Sequence, residues 1–578
     1  MKMTIDGPTR HALGIDEILD NLARRAFSEP GAEAVRALSP AAELREVERR
    51  LKPVAEAMRR FERNRGIPLH GLADVRPYLE EAQFPGAVLA HDRWPRIAVF
   101  LDVCERMVRF AEEASEESPA LASLARGVLP EPDLRATVYR KFESQGGGLT
   151  ERLRDDASPE LEKARRELKQ AEQGLMRTVN RLVGEYAGRG WLMESYSTVR
   201  NGRHVLPFRA AFRNRVTGIV HGLSSSGETV FIEPAELVET CNRIEELTER
   251  ALEEERRILI ALTQQLYPWC GAGLANMERL AEMDAIHAVA RSAYDMGWKI
   301  PQVREHGALR LYQAHHPLLH IARRDSSVPI SVSLDRRDRV VVFSGPNAGG
   351  KTTAMKTLAT SVVLVQSGIP IPASADSSLP VYAGVLADIG DRQDISAGLS
   401  TFSGHMRRIR EILSAARAEP PVVRLRRGEH APVDERVGGC LVLLDELGTG
   451  TDPSEGAALA VALLEEFASA AAVTFTTSHL DPVKQWASET AGIRNASFSL
   501  DPATKRPTYR LRLDLPGASE ALEIAEAEGL PEAVLAKARA LVGPERLRMG
   551  ELLRSIEEHE RRASRASRDA EAKAKAAA

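Results

Sequence analysis

Aromatic residues are scarce in this chain. Phe, Trp and Tyr make up 5% of its 578 residues, against a hydrophobic fraction of 43%. Cores must therefore be built mostly from aliphatic side chains, and with 28% charged residues this composition favours helix-rich structure. Cysteine is rarer still. Cys104, Cys241, Cys270 and Cys440 stand far apart and form no C-x-x-C pair, which argues against a zinc site or a disulfide framework. No run of about 18 apolar residues offers a membrane span. The N-terminus, MKMTIDGPTRHALGID, lacks the apolar centre of a signal peptide, so the expectation is a cytoplasmic protein with no membrane partner. Nor is there a strong net charge. At −4 the chain is no polycation, and any nucleic-acid contact has to come from a local basic patch. The length suggests about three to five domains.

What is present falls into four stretches. Residues 1–130 carry amphipathic helical patterns such as DEILDNLARRAF and show no chemistry of their own. Residues 131–315 contain two long helical patterns. The first opens at Ser158-Pro159-Glu160, a cap followed by Pro in the first turn, and repeats Leu161, Ala164, Leu168, Ala171, Leu175 and Leu182. The second runs from Ala235 to about Leu266, with Leu237, Cys241, Ile244, Leu247, Ala251 and Ile258 inward. Each is about 30 residues, hence ~40–45 Å, and the simplest packing is an antiparallel lever. Between them, residues 192–235 have β-branched alternation and an Asn-Gly turn, which predicts short strands and hairpins. From Tyr196 to Gly227 this insert holds Arg200, Arg203, Arg209, Arg213 and Arg215 and no Asp or Glu. It reads either as a solvated loop face or as a patch that neutralises nucleic-acid phosphates.

Residues 316–515 carry the strongest motif. Arg339 to Ser344 is an apolar strand that ends in Gly345-Pro346-Asn347-Ala348-Gly349-Gly350-Lys351-Thr352-Thr353, with G-x-x-x-x-G-K-T spacing before a helix. Backbone N–H groups of such a loop cradle phosphates; Lys351 should reach the β/γ-phosphates of ATP and Thr352 should ligate Mg²⁺. Leu441 to Leu444 is a second buried strand, with Asp445 at its end as a metal-binding carboxylate and Glu446 next, where a general base can polarise water. VTFTTSHL is a third strand, with His479 at its end as a γ-phosphate sensor. Gly398-Leu399-Ser400-Thr401 opens a further helix whose free N–H groups and hydroxyls suit an anion.

These residues together carry a resemblance. SGPNAGGKTTAMKTL, GLSTFSGHM, LLDELGTGTDPSEGAALA and TTSHL resemble the MutS family. The loop DELGTGTDPSEG fits its second bacterial branch, MutS-two, better than the mismatch-repair branch. IDEILDNLARRAFSEPG, SPELEKARRELKQ and TVRNGRHVLPFRAAFRNRVTGIVHGLSSSGETVFIEP extend the likeness over nearly the whole chain. One departure is His315-His316-Pro317, where the family has Arg-His-Pro. The resemblance implies a multidomain α and α/β fold: a helical core, long antiparallel lever helices with a small β-rich clamp, and an ABC-type P-loop ATPase. It implies ATP and Mg²⁺, and a head-to-tail homodimer in which Ser400 of one chain caps ATP held by Lys351, Thr352, Asp445 and Glu446 of the other, with Asn347 also on the phosphates. It further implies a clamp on duplex or branched DNA, with a role in suppressing homologous recombination. The alternative it leaves is a ribosome-associated ATPase acting on stalled or collided ribosomes. A condensin-like ATPase is disfavoured, since only about 90 residues separate Lys351 from Asp445. Residues 516–578 read as a charged helical segment without the strand-rich Smr nuclease domain of full-length relatives, so ATP hydrolysis is expected and Smr-type endonuclease activity is not.

Overall fold

The computed structural model describes residues 2–324, 327–345, 350–390, 401–419, 422–427, 432–437, 439–500, 507–514, 525–526 and 529–542. The described chain is predominantly helical with several small sheets, and it forms two compact units. One comprises Pro68–Glu113 and Ser123–Leu280; the other comprises Met1–Ile67, Ala114–Ala122 and Ala281–Ala578. No helix among the described residues is long and apolar enough to cross a membrane.

The 68–280 unit contains the two long helices, α1 (Pro159–Gly188) and α2 (Ala235–Leu266). α1 starts where Ser158 and Pro159 direct it: the Ser158 hydroxyl accepts from the Leu161 N–H at 3.1 Å. The helices run antiparallel, as their ion pairs require. Arg181 meets Glu236, Arg243 lies 3.0 Å from Glu167, and Arg165 lies 2.7 Å from Glu255. Leu161, Ala164, Leu175, Val179 and Leu182 are buried on α1, and Leu237, Cys241, Leu247, Ala251 and Ile258 on α2. Leu168, Ala171 and Ile244 are only half-buried, so the seam is narrower at those turns than the apolar spacing predicts.

At the end where α1 closes and α2 begins lies an antiparallel sheet of β1 (Thr198–Arg200), β2 (Arg203–Arg209), β3 (Gly218–Leu223) and β4 (Thr229–Pro234), ordered β1-β2-β4-β3. Asn201 and Gly202, at φ 51 and 76, make the two-residue turn that joins β1 to β2, a geometry Asn-Gly tolerates at least cost. Leu206, Phe208, Val230 and Ile232 pack under the sheet against Leu175, Val179, Leu182 and Leu237. Each such fully buried side chain contributes roughly 1.5–3 kcal/mol.

The other unit is organised around a six-stranded sheet. Its strands are β5 (Val340–Ser344), β6 (Gly384–Asp388), β7 (Cys440–Leu444), β8 (Val473–Thr477), β9 (Ile493–Leu500) and β10 (Pro507–Leu513), ordered β6-β7-β8-β5-β9-β10. All neighbours are parallel except β9 and β10. β5, β6, β7 and β8 are buried throughout, which is why they read as unbroken apolar runs rather than alternating ones. Helices α3 (Lys351–Gln366), α4 (Thr401–Ala418), α5 (Pro453–Ala470) and α6 (Asp481–Glu489) follow four of the strands. Ile409, Ile412, Leu464, Phe467 and Val483 from the last three pack on Val340, Val342, Leu386 and Val442.

The sheet's free edge at β6 is closed by the N-terminal segment of the chain. Thr4 pairs parallel with Gly384, donating to Ala383 O at 2.8 Å and accepting from Val385 N at 2.9 Å. Two residues on, Asp6 caps the helix Gly7–Ala12 and receives both terminal nitrogens of Arg408, at 2.6 and 2.9 Å. Arg408 is 4% exposed and also donates to Thr9 Oγ1 and Ala387 O. The Thr9 hydroxyl accepts from Ala387 N at 2.9 Å. A dozen N-terminal residues thus hold both the edge strand and α4.

Candidate functional site

The carboxyl ends of β5, β7 and β8 converge, the place where open α/β sheets bind their ligands. Gly345 leaves β5 at φ 118, and Gly350 enters α3 at φ 89; both are left-handed conformations that a Cβ strains. Space also demands glycine, since a Cβ on Gly345 would stand 2.5 Å from Phe498 O. Pro346, Asn347, Ala348 and Gly349 lie outside the described residues, as does Ser400.

α3 begins at Lys351, whose side chain is buried with its ammonium 2.6 Å from Gly345 O. Burial pushes its pKa down, and the carboxylates of Asp445 and Glu446 push it back up in part. A buried ammonium at a helix N-terminus, flanked by left-handed Gly345 and Gly350, is chemistry that suits an anion. Thr352 follows, and its hydroxyl donates to Asp445 Oδ2 at 2.9 Å. The sequence-predicted pair of metal-binding groups is therefore in direct contact, one from the first turn of α3 and the other from the end of β7.

Thr477, at the end of β8, organises the rest. Its hydroxyl donates to Asp445 Oδ1 at 2.6 Å and accepts from Glu446 N at 2.7 Å. β8 lies between β5 and β7, so one buried hydroxyl can fix both neighbouring acids. Glu446 itself sits at φ 52, a left-handed conformation uncommon for a residue with a side chain. Such strain costs of order 1–3 kcal/mol and persists only where the surroundings impose it. Here they do: the Thr477 hydroxyl holds the Glu446 N–H, and the Thr449 hydroxyl donates to Glu446 O at 2.8 Å. The Glu446 carboxylate faces His479, with 3.6 Å between Oε1 and Nε2. His479 lies two residues beyond β8 rather than on its last residue. Its pKa is lowered by burial first and by Lys351 second, against the pull of Glu446.

Two further acid–base groups stand close by. Asp388, at the end of β6, accepts from Asp445 N through its carbonyl at 2.9 Å, and its carboxylate lies 2.9 Å from His405 Nδ1 on α4. Beside Lys351 and Thr352 opens a cavity of about 400 Å³, lined by His316, Leu319, Val328, Ile330, Thr353 and Tyr509 among others. His316 is pushed to about 4 by burial, aided by Lys356, so its imidazole is neutral near pH 7. Its Nδ1 is buried without a hydrogen-bond partner among the described residues. No role for Thr477, Asp388, His405, His316 or Tyr509 follows from the sequence. Thr477 and His405 lie inside TTSHL and GLSTFSGHM, and His316 inside the departing His315-His316-Pro317, but no spacing there assigns them a role.

The five arginines of the β-rich insert are not equivalent. Arg203 is bound into the unit, 2.6 Å from Glu245, 2.6 Å from Asn242 Oδ1 and 3.8 Å from Glu233. Arg200 lies with its guanidinium carbon 3.5 Å from the centre of the Phe231 ring. Arg209 donates to Leu192 O at 3.2 Å. Arg213 and Arg215 are exposed and have no carboxylate partner among the described residues.

The model of MutS domain V matches residues 341–425 and 433–544, the stretch that holds this site. Similar proteins cover almost all of the chain. A protein of Thermomicrobium roseum described as endonuclease MutS2 is 38% identical over 569 residues, 95% of this chain and 68% of the relative. Proteins of the same description from Geobacillus sp. (strain WCH70) and Symbiobacterium thermophilum are 34% and 35% identical, each over 96% of this chain and over 67% and 66% of the relative. The chain thus spans about two-thirds of the length of these relatives.

Proposed function

The chain belongs to the MutS2 family, and from that premise we propose that it is an ATP-hydrolysing, DNA-binding protein whose nucleotide cycle serves the suppression of recombination. Residues 316–515 form its ABC-type ATPase, residues 1–130 and 131–315 its helical core and lever with clamp, and 516–578 a helical extension. The observation that carries the reading is the contact of Thr352, Asp445, Thr477 and Glu446 at the ends of three adjacent strands, beside the buried ammonium of Lys351. The left-handed glycines and the desolvated ammonium suit a triphosphate. The Thr352 hydroxyl and Asp445 carboxylate are the hard oxygen donors that Mg²⁺ takes. Mg²⁺ held by these two groups would offset the charge of the phosphates.

The chain's own residues then divide the work. Lys351 holds the phosphates by charge. Glu446, held by Thr477 and open on the side of His479, accepts the proton of the attacking water; His479 positions that carboxylate and meets the terminal phosphate. The cavity by His316 and Tyr509 receives the nucleoside. Ser400 of a second copy caps the site, which makes the working form a homodimer. The clamp arginines hold DNA backbone.

Lys351→Ala and Glu446→Gln test the site separately. Lys351→Ala should lose tight ATP binding, because its ammonium no longer offsets the phosphate charge. Glu446→Gln should bind ATP normally and turn over slowly, since general-base loss costs typically 10²–10⁴-fold. Wild-type turnover by Glu446→Gln would remove that residue from the chemistry.

A further inference from the structure

The cavity beside Lys351 carries a hydroxyl that phosphate binding does not use. Lys351, Thr352 and Thr353 form its phosphate end, and Leu319, Val328 and Tyr509 line it as well. These three large side chains are 45%, 42% and 44% exposed. Open apolar surface gathered around one cavity suits the flat faces of a base. The Tyr509 ring packs on Gly350, where an added Cβ would stand 3.1 Å from Cδ1, and its backbone is left-handed at φ 56, a strain that binding sites hold. Phosphates at Lys351 and a base against the apolar side chains leave the sugar between the two. Ser327, next in the chain to Val328, lines the same cavity, and its Oγ lies 2.7 Å from His315 Nδ1. That pair is not what joins the two segments, since His315 N donates to Pro372 O at 2.8 Å and Ala314 pairs with Ile330. The Thr357 hydroxyl, also on the lining, is already spent on Thr353 O at 2.7 Å.

We propose that Ser327, fixed by His315, reads the sugar of the bound nucleotide: its Oγ accepts a hydrogen bond from a ribose hydroxyl, so that the site prefers ribonucleotides to deoxynucleotides. This rests on the reading of the cavity as the nucleoside site and adds which sugar it selects. A serine hydroxyl has one proton and two lone pairs. If Ser327 donates to His315, both lone pairs remain. If His315 donates to Ser327, one lone pair remains. A ribose O–H therefore finds an acceptor whichever tautomer His315 adopts. Burial lowers the His315 pKa, against a hydrogen bond with the Ser327 backbone that raises it. The imidazole is then neutral near pH 7, and it holds Ser327 without placing a charge beside the sugar. Val328, Pro329 and Ile330 follow in the chain and offer a deoxyribose no replacement partner. Ser327 is half-buried, so a deoxy sugar forfeits one neutral hydrogen bond, which is about 3–10-fold in affinity.

The experiment is titration calorimetry of the full chain at neutral pH with ADP, 2′-deoxy-ADP and 3′-deoxy-ADP, which bind without turnover. The variants are Ser327→Ala, His315→Ala and Tyr509→Asn, the last because Asn tolerates a left-handed backbone. Wild type should bind ADP about 3–10-fold more tightly than at least one deoxy form, and that form names the hydroxyl. Ser327→Ala should bring ADP down to the affinity of that form and leave the form itself near its wild-type value. His315→Ala should lose part of the preference. Tyr509→Asn should weaken all three nucleotides by a similar factor, about tenfold, and keep the preference. Equal wild-type affinity for the three nucleotides, with Tyr509→Asn still weakening them, overturns the sugar reading and leaves the nucleoside site standing. A wild-type preference that survives Ser327→Ala removes Ser327 from the role. Unchanged affinity for ADP in both Tyr509→Asn and Ser327→Ala overturns the cavity as the nucleoside site. The wild-type comparison needs no variant, so it decides the sugar preference even if a substitution disturbs folding.

Discussion

Breaking the Asp6–Arg408 pair from its two ends should cost different amounts, and burial sets the order. Arg408 is 4% exposed, whereas the Asp6 side chain is 34% exposed. Asp6→Ala leaves a buried guanidinium that keeps Thr9 Oγ1 and Ala387 O as acceptors, and the half-exposed Glu411 carboxylate 3.7 Å away, but loses its two charge-assisted hydrogen bonds. Removing one partner of a buried pair costs ~3–5 kcal/mol, and the two remaining acceptors place this case near 3. Arg408→Met fills the space with an apolar side chain and leaves a carboxylate that water still reaches and that keeps the Thr9 N–H. Its cost is that of the lost hydrogen bonds, about 1–2 kcal/mol. For a unit this large each kcal/mol moves the transition by about 2 °C. Calorimetry at neutral pH should then place Asp6→Ala about 6 °C below wild type and Arg408→Met about 2–4 °C below. The pH dependence has a defined sign. Burial raises the Asp6 pKa, but hydrogen bonds from Arg408 and Thr9 outweigh it and the net shift is downward. A carboxyl lowered on folding stabilises above its unfolded pKa, about 3.9, and that stabilisation fades as pH falls through the lower folded value. The gap between wild type and Asp6→Ala should therefore be constant from pH 7 to about 5 and close below about 4. Equal losses from the two ends, or a gap that widens in acid, would refute the burial argument.

Two other outcomes follow from the site. Thr477→Val keeps the shape of a fully buried side chain but deletes the hydrogen bonds to Asp445 and from Glu446 N. Steady-state ATPase should show kcat down by about 10–100-fold with the KM for ATP within a few-fold, from a loss of roughly 1–3 kcal/mol; a change confined to KM would mean the hydroxyl only shapes binding. Chains bearing Ser400→Arg and Lys351→Ala, each inactive alone, should recover partial ATPase when mixed, because one composite site in each heterodimer is intact. Demonstrable dimers without recovered activity would rule out a role for Ser400 across the interface.

Much of this was legible locally. Ser158-Pro159 starts α1, Asn201-Gly202 turns the clamp hairpin, and the unbroken apolar runs before Gly345 and Asp445 are parallel strands. Each depends on neighbours within a few residues, so pattern suffices. The misses are long-range. Thr477 owes its role to strand order: β8 follows β7 in the chain yet inserts between β7 and β5, and no local pattern states that. The acid-free stretch from Tyr196 to Gly227 was correct as composition but not as electrostatics, because Glu233 and Glu245, which lie beyond it, pair with Arg203. Half-buried Leu168 and Ala171 show the limit of heptad counting, since regular apolar spacing does not oblige every turn of a helix pair to close.

The N-terminal clasp was the least legible feature, and its position gives it weight. Thr9 and Ala387 are 378 residues apart, and Asp6 and Arg408 are 402 apart. What they hold is the strand whose last residue, Asp388, accepts Asp445 N and faces His405. α4 is thereby tied at His405 to the strand beside the acidic loop, and at Arg408, one turn on, to the N-terminal segment. Sliding α4 by one turn, about 5.4 Å, would have to break the Arg408 fork, the His405 contact and the hydrogen bonds to Ala387 together. Several charge-assisted and backbone bonds that fail together make a helix either seated or released, with little between. The helix that opens directly after Ser400 is thus held by the same residues that set the height of Asp445.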